Sequence, residues 1–117
     1  MIERVEPGRI MSRAVVHNGL IYFSGHVDGG KHPTIREQAA AIFKRYDELL
    51  LQYGSDRDHI LSAVIYITDM GLKQEFNEEW AKWIREGCAP CRVCVEVGLG
   101  DGYLVEITLV AERIQSD

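Results

Sequence analysis

The segment TIREQAAAIFKRYDELLLQYG, residues 34–54, decides the fold class of this chain. Thr34 followed three residues later by Glu37 is the pattern of a helix capping box, and Gly54 is the usual residue just beyond a helix end. Between them, apolar residues recur at helical spacing and form one stripe. The stripe consists of Ile35, Ala39, Ile42, Phe43, Tyr46, Leu49, Leu50 and Tyr53. The sequence therefore predicts a helix over residues 34–53 that packs its apolar side on a sheet.

The segment before this helix is predicted to be a β-hairpin. Asn18-Gly19 separates two apolar runs, residues 14–16 and 20–24. Asn-Gly between apolar runs is the strongest short hairpin signal, because both turn positions need a positive φ.

Three more strands and a second helix are predicted after residue 54. Residues 61–68 carry apolar side chains on both faces, which indicates a central strand. Asp69 could cap a second helix that ends near Arg85, and strands follow at residues 92–97 and 103–111. The predicted order is β-β-α-β-α-β-β, an α+β fold with a single mixed sheet and both helices packed on one face. Apolar residues on the other face favour self-association of the chain.

Length, composition and charge limit the classes of function. The chain has 117 residues, 46% of them hydrophobic, which predicts a single domain over residues 1–117. Thirteen Lys and Arg against eighteen Asp and Glu give a net charge of −5, which argues against nucleic-acid binding. No apolar run is long enough to span a bilayer, and the N-terminus has no signal core, so we expect a cytoplasmic protein that binds no membrane.

Arg92 and Glu106 are the first candidates for a functional site. Arg92 opens a predicted strand, and its guanidinium could either form an ordinary ion pair or hold a substrate carboxylate bidentately. Glu106 lies in an otherwise apolar strand, where a carboxylate is costly unless it is paired or hydrogen-bonded. If the last two strands pair antiparallel, Glu106 comes near Arg92 or Cys94. The pattern is then about equally compatible with two roles for Glu106, a structural ion pair with Arg92 and a catalytic carboxylate.

The remaining candidates have ordinary explanations on the pattern alone. Cys88, Cys91 and Cys94 lack the fourth ligand that a structural zinc site needs, so no metal is expected and Cys94 is interpreted as a small buried residue. The four histidines show no ligand spacing and are interpreted as turn or surface residues. Trp80 and Trp83 are predicted in the core or at an interface, and Asn77 on a solvated helix face.

With these segments placed, the chain resembles the RidA/YjgF family of reactive-intermediate (imine) deaminases, some of which are also named translation inhibitors or endoribonucleases L-PSP. The resemblance covers residues 11–112. Its most specific part is APCRVCVEV, residues 89–97, followed by the strand LVEI, residues 104–107. Supporting parts are VVHNGLIYFSG, residues 15–25, and SAVIYITDM, residues 62–70.

The resemblance implies a chorismate-mutase-like fold, a homotrimer with active sites between subunits, and hydrolysis of enamine or imine intermediates without a cofactor. On this basis Arg92 would bind the substrate carboxylate and Glu106 would position the attacking water. Ser24, Asn77 and Cys94 would line the pocket. Met11 stands where many members have a pocket Tyr, which implies a pocket of different shape. The alternative is a non-enzymatic trimer that binds a small carboxylate metabolite or a partner protein.

Overall fold

The computed structural model describes residues 1–115 and has the predicted α+β architecture. The strands are β1 (Glu3–Val5), β2 (Ala14–His17), β3 (Leu20–Phe23), β4 (Ile60–Ile67), β5 (Cys91–Glu96) and β6 (Val105–Glu112), and the helices are α1 (Ile35–Gln52) and α2 (Lys73–Trp83). The strands of this part of the chain form one mixed sheet in the order β1-β2-β3-β6-β4-β5. None of the helices in residues 1–115 is long and apolar enough to cross a membrane.

The two strongest local predictions are confirmed. Helix α1 begins after Thr34, whose side chain accepts a hydrogen bond from the Glu37 amide, and Gly54 follows its end at a φ of 85°. Asn18 and Gly19 both have positive φ and join β2 to β3 by a two-residue turn. In each case, short-range chemistry alone determines the backbone.

Strand β1 was not predicted from the sequence. Its three residues pair antiparallel with β2, between Glu3 and Val16 at one end and Val5 and Ala14 at the other. The segment is short, charged and largely exposed, so it has no apolar alternation that would indicate a strand. Its pairing with β2 depends on the hairpin being present.

The prediction that Asp69 caps a second helix ending near Arg85 is confirmed at its end, which lies at Trp83, and needs correction at its start. The Asp69 side chain caps a separate 3₁₀ turn, Met70–Leu72, and α2 begins only at Lys73. The helix ends at Trp83 because Ile84 is extended and buried, and Arg57 donates a hydrogen bond to the Trp83 carbonyl at 3.0 Å.

The expected pairing of the last two strands is also wrong. β5 pairs parallel with β4, and β6 pairs antiparallel with the other edge of β4. A β4–α2–β5 unit with a helical crossover is the usual way to make parallel neighbours. Strand β4 is therefore internal, as predicted, and it separates β5 from β6.

Both helices cover one face of the sheet, and the other face is bare in the single chain. The helix-covered row on β4 consists of Ala63, Ile65 and Ile67, all at most 3% exposed. On the opposite face, Tyr22 and Val93 are 45% and 51% exposed. Apolar strand residues exposed to this extent are typical of a surface that a second copy covers.

Gln38 is a fully buried polar residue of α1 that joins two loops. Its Nε2 donates to the carbonyls of His32 and Gly102, each at 2.8 Å, and its Oε1 accepts from the Leu104 amide at 2.8 Å. All three bonds are made without water, so the side chain fixes the loop after β3 to the loop before β6.

We expect Gln38→Ala to destabilise the fold by about 2–4 kcal/mol, because three backbone groups of the two loops lose the partner that Gln38 provides. Denaturant unfolding at a fixed protomer concentration measures the effect. The exposed Gln52 of the same helix is the matched control, and Gln52→Ala should change the free energy of unfolding by less than about 0.5 kcal/mol. Equal effects of the two changes would contradict the role of Gln38.

Candidate active site

Arg92 lies on β5, at the edge of the sheet and on its helix-covered face. Its register partner on β4 is the buried Ala63. The Arg92 Nη2 atom donates a hydrogen bond of 2.6 Å to Asn77 Oδ1 on α2. Its Cζ lies 5.3 Å from the ring centroid of Trp80 and 5.9 Å from that of Phe76. The guanidinium is therefore held by one amide and two aromatic faces.

Among residues 1–115, Arg92 differs from most other arginines in having no carboxylate partner. Arg57 pairs with Asp47 at 2.8 Å, and Arg85 pairs with Asp58 at 3.1 Å. The Asn77 amide orients the Arg92 guanidinium but does not neutralise it. A partly buried positive charge of this kind can bind an anion. The sequence interpretation of Asn77 as a solvated residue is wrong.

Cys94 lies two residues after Arg92 on the same face of β5, partly buried against the core. Cys94 therefore packs against the core, as interpreted, but it is partly rather than fully buried. Cys88, Cys91 and Cys94 are free thiols. Within residues 1–115, no three His, Cys, Asp or Glu side chains cluster in a way that could hold a metal ion.

Glu106 lies on the opposite face of the sheet from Arg92. Its register partner on β4 is Tyr66, which in turn pairs with Val95 on β5. The two residues therefore form no ion pair within the described chain, and the expectation that Glu106 comes near Arg92 or Cys94 is wrong for a single protomer. The physical reason is the intervening strand β4.

The Glu106 carboxylate packs directly on Gly25, the second residue after β3. A side chain at position 25 would collide with Oε2, and its Cβ would lie 2.9 Å from the Glu106 Cδ. Glycine at position 25 thus leaves room for the carboxylate, and a Cβ there would displace it from its present place. No local sequence pattern indicates this contact, because the two residues are far apart along the chain.

Met11 and Ser24 lie together near the β2–β3 hairpin, toward the sheet edge opposite β5. They line a cleft of about 380 Å³ with Gly25 and His26, between the segment before β2 and the segment after β3. The Ser24 hydroxyl donates to the Ser12 carbonyl at 2.6 Å, which fixes the two walls of the cleft to each other. Met11 is 57% exposed and forms part of the rim.

His26 is a member of this cleft that the sequence analysis interpreted wrongly as a surface or turn residue. Its Nδ1 is 2.8 Å from the Ser24 carbonyl and 3.1 Å from the Tyr46 hydroxyl, which in turn donates to the Ile107 carbonyl at 2.8 Å. Since a carbonyl only accepts, Nδ1 carries the proton and Nε2 keeps its lone pair. Burial is the main cause that lowers the pKa of His26, so the ring is neutral at pH 7.

The predicted site residues therefore form two groups within one protomer. Arg92, Asn77 and Cys94 lie at the β5 edge, whereas Met11 and Ser24 lie beyond β3. Glu106 packs on Gly25, which lines the Met11–Ser24 cleft. Strands β3 and β5 are three positions apart in the sheet, which corresponds to about 14 Å. This distance exceeds the length of a small amino acid derivative.

Comparison with known proteins agrees with the resemblance found in the sequence. The family model described as endoribonuclease L-PSP matches residues 1–113. The chain belongs to this family. Among its curated relatives, a RutC family protein of Haemophilus influenzae is 33% identical over 94% of this chain and 97% of its own length. The RutC family protein YoaB of Escherichia coli is also 33% identical, over 94% of this chain and 96% of its own.

Solved structures of YjgF and Rid family proteins share the whole fold of this chain. A member of the YjgF protein family from Neisseria meningitidis superposes with a TM-score of 0.92 at 38% identity, covering 99% of this chain and 98% of its own. A Rid family protein from Yersinia pestis gives a TM-score of 0.86 at 30% identity, with 96% and 99% covered. The L-PSP family assignment and the α+β fold are thus established by both sequence and structure.

Proposed function

We propose that this protein hydrolyses 2-imino acids, or the enamines in equilibrium with them, to 2-oxo acids and ammonia. The observation that carries the proposal is Arg92, a partly buried guanidinium held by an amide and two rings and without a carboxylate partner in residues 1–115. A planar guanidinium matches a carboxylate in geometry and charge. Membership of a family that includes Rid proteins supports this chemistry.

The reaction requires little beyond orientation and one proton acceptor, because the carbon of a protonated imine is already electrophilic. Arg92 binds the substrate carboxylate, and Glu106 holds a water molecule near the C=N carbon. The water oxygen bonds to that carbon and passes one proton to Glu106. In the resulting carbinolamine, Glu106 returns its proton to the amino nitrogen, the C–N bond breaks with its electron pair on nitrogen, and ammonia departs. The C=O bond forms as the hydroxyl proton passes to Glu106, which releases it to solvent. No cofactor enters this scheme.

A complete site needs groups from two protomers. Arg92 and Glu106 lie on opposite faces of one sheet. Strand β3, which leads into the Met11–Ser24 cleft, is three strand positions, about 14 Å, from the Arg92 strand. The bare sheet face supplies a surface for self-association. We therefore place the site between protomers of a homotrimer, with Arg92 of one protomer facing Glu106 and the Met11–Ser24 cleft of the next.

The test uses imino acids made in situ by an amino-acid oxidase, with semicarbazide to trap the imine that remains. The purified protein should lower the yield of semicarbazone and should do so in proportion to its concentration. A series from alanine to bulkier amino acids ranks the substrate side chains. 2-Oxobutyrate, a 2-oxo acid of the product class, serves as a non-reacting ligand. If no imine is consumed faster while 2-oxobutyrate still binds, the protein is a carboxylate-binding module and the proposal is wrong.

Gly25→Ala tests the position of Glu106 without changing its chemistry. The added methyl group forces the carboxylate away from the place where it now packs on Gly25. We expect turnover to fall by about 10- to 100-fold, since misplacement by an ångström has effects of this size. Gly98→Ala is the matched control, because a Cβ at position 98 meets nothing within 4 Å and its turnover should be unchanged. Full activity in Gly25→Ala would refute the role of Glu106.

A further inference from the structure

Two aromatic rings of α2, Phe76 and Trp80, lie beside Arg92 and form an aromatic pair. The sequence pattern did not indicate that these rings belong to the site. Phe76 and Trp80 are four residues apart, so they project from the same side of the helix. Their ring centroids are 6.1 Å apart, and both lie within 6 Å of the Arg92 Cζ. Contacts at this distance are cation–π interactions. Phe76, Trp80 and the Asn77 amide thus hold Arg92 from α2.

Trp80 is the more rigidly packed residue of this aromatic pair. It is 8% exposed, and its ring contacts Phe43 at 5.9 Å and Trp83 at 5.7 Å between centroids. A ring enclosed by other rings on α1 and α2 has one available orientation. The guanidinium that lies over it is held in place as long as the helix pair is packed.

We propose that Trp80 is a positioning residue that presents the Arg92 guanidinium in the orientation required for carboxylate binding. This inference rests on the proposed function, since it assumes that Arg92 binds the substrate carboxylate. A free arginine side chain loses considerable rotamer entropy when it binds a ligand. Trp80 removes much of that cost before the substrate arrives, which strengthens binding.

The choice of an aromatic ring has a chemical reason. A carboxylate beside Arg92 would also fix the guanidinium but would compete with the substrate for its charge. The face of an indole attracts the cation through its quadrupole and leaves the N–H donors free. Asn77 uses only one donor, at Nη2. The remaining N–H groups can form the two parallel bonds that a carboxylate accepts.

The kinetic test compares Trp80→Leu and Trp80→Phe with Trp83→Phe. Trp80→Leu removes the ring face, so we expect the KM for imino acids and the Kd for 2-oxobutyrate to rise by about three- to thirtyfold. The kcat should stay within about twofold, because the carboxylate contact is the same in ground and transition states. Trp80→Phe keeps a ring and should restore most of the affinity. The guanidinium over the Trp83 ring is that of Arg57, at 5.8 Å, so Trp83→Phe should bind like the native protein.

Fluorescence gives a second measurement that a purely structural role would not affect. In Trp83→Phe, Trp80 is the only tryptophan. We expect 2-oxobutyrate to change its emission, since the anion alters the charge above the indole ring. In Trp80→Phe, the remaining Trp83 should give no change. If Trp80→Leu does not fold, this titration decides.

Two results would overturn the inference. One is an unchanged Kd in a folded Trp80→Leu variant, and the other is unchanged Trp80 emission in Trp83→Phe when calorimetry shows that 2-oxobutyrate binds. Either result would leave the proposed function intact as long as the native protein still consumes imines. Failure of the native protein both to bind 2-oxobutyrate and to consume imines would instead remove the proposed function.

Discussion

Replacing Arg92 with alanine should lower kcat/KM for imino acids by at least about 100-fold, because the substrate carboxylate loses its charged partner. The fold should survive, since Arg92 is only partly buried and has no ion pair within residues 1–115 that would be left uncompensated. The imine-trapping assay measures the effect, and thermal unfolding and size-exclusion chromatography establish that the variant is folded and assembled.

Arg92→Lys is the matched control for charge. Lysine keeps the positive charge but lacks the planar fork and its stacking on Trp80. We expect an activity between those of the native protein and Arg92→Ala. An alanine variant that consumes imines at the native rate would show that the carboxylate binds elsewhere.

Asn77→Asp should have the second large effect, and it should move stability and activity in opposite directions. The new carboxylate would stand where Asn77 Oδ1 now lies, 2.6 Å from Arg92 Nη2, and would form an ion pair with it. Once paired, the guanidinium attracts the substrate carboxylate less strongly. We expect KM to rise by about 10- to 100-fold, whereas the melting temperature stays the same or rises slightly.

Asn77→Ala separates orientation from neutralisation. It removes the acceptor but leaves the Arg92 charge unpaired, so its KM should rise less than that of Asn77→Asp. Isothermal titration with 2-oxobutyrate provides the same comparison without turnover. Equal affinities in Asn77→Asp and the native protein would contradict the role assigned to Arg92.

The fold was predictable wherever neighbouring residues decide the backbone. The capping box at Thr34, the glycine at position 54 and the Asn18-Gly19 turn each act within four residues, and all three predictions are confirmed. The pairing of β6 was not predictable in this way. The turn at residues 100–102 suggests a hairpin of the last two strands, but β6 pairs instead with β3 and β4. The strand–helix–strand order from residue 60 to residue 96 itself favours a parallel pairing of β4 and β5.

The site was predictable only in part. Arg92 and Glu106 were recognised from their residue types and from the family resemblance, and both have surroundings that suit the roles proposed for them. Their placement on opposite faces depends on which strand lies between them, which no local pattern encodes. The contacts of Arg92 with Asn77 and Trp80 join residues on different elements. Only the packing of α2 on β5 reveals them.

Because Arg92 and Glu106 lie on opposite faces of the sheet, the proposed site takes the two residues from different chains. Two inactive variants, one at each position, can therefore complement each other. If the site lies between protomers as proposed, an assembly made only of Arg92→Ala chains or only of Glu106→Gln chains lacks one half of every site. When the two are co-expressed in equal amounts, about one quarter of the interfaces combine an intact Arg92 with an intact Glu106 from the neighbouring chain. Mixed assemblies should therefore regain activity that neither parent shows, whereas a site built within one chain would gain none.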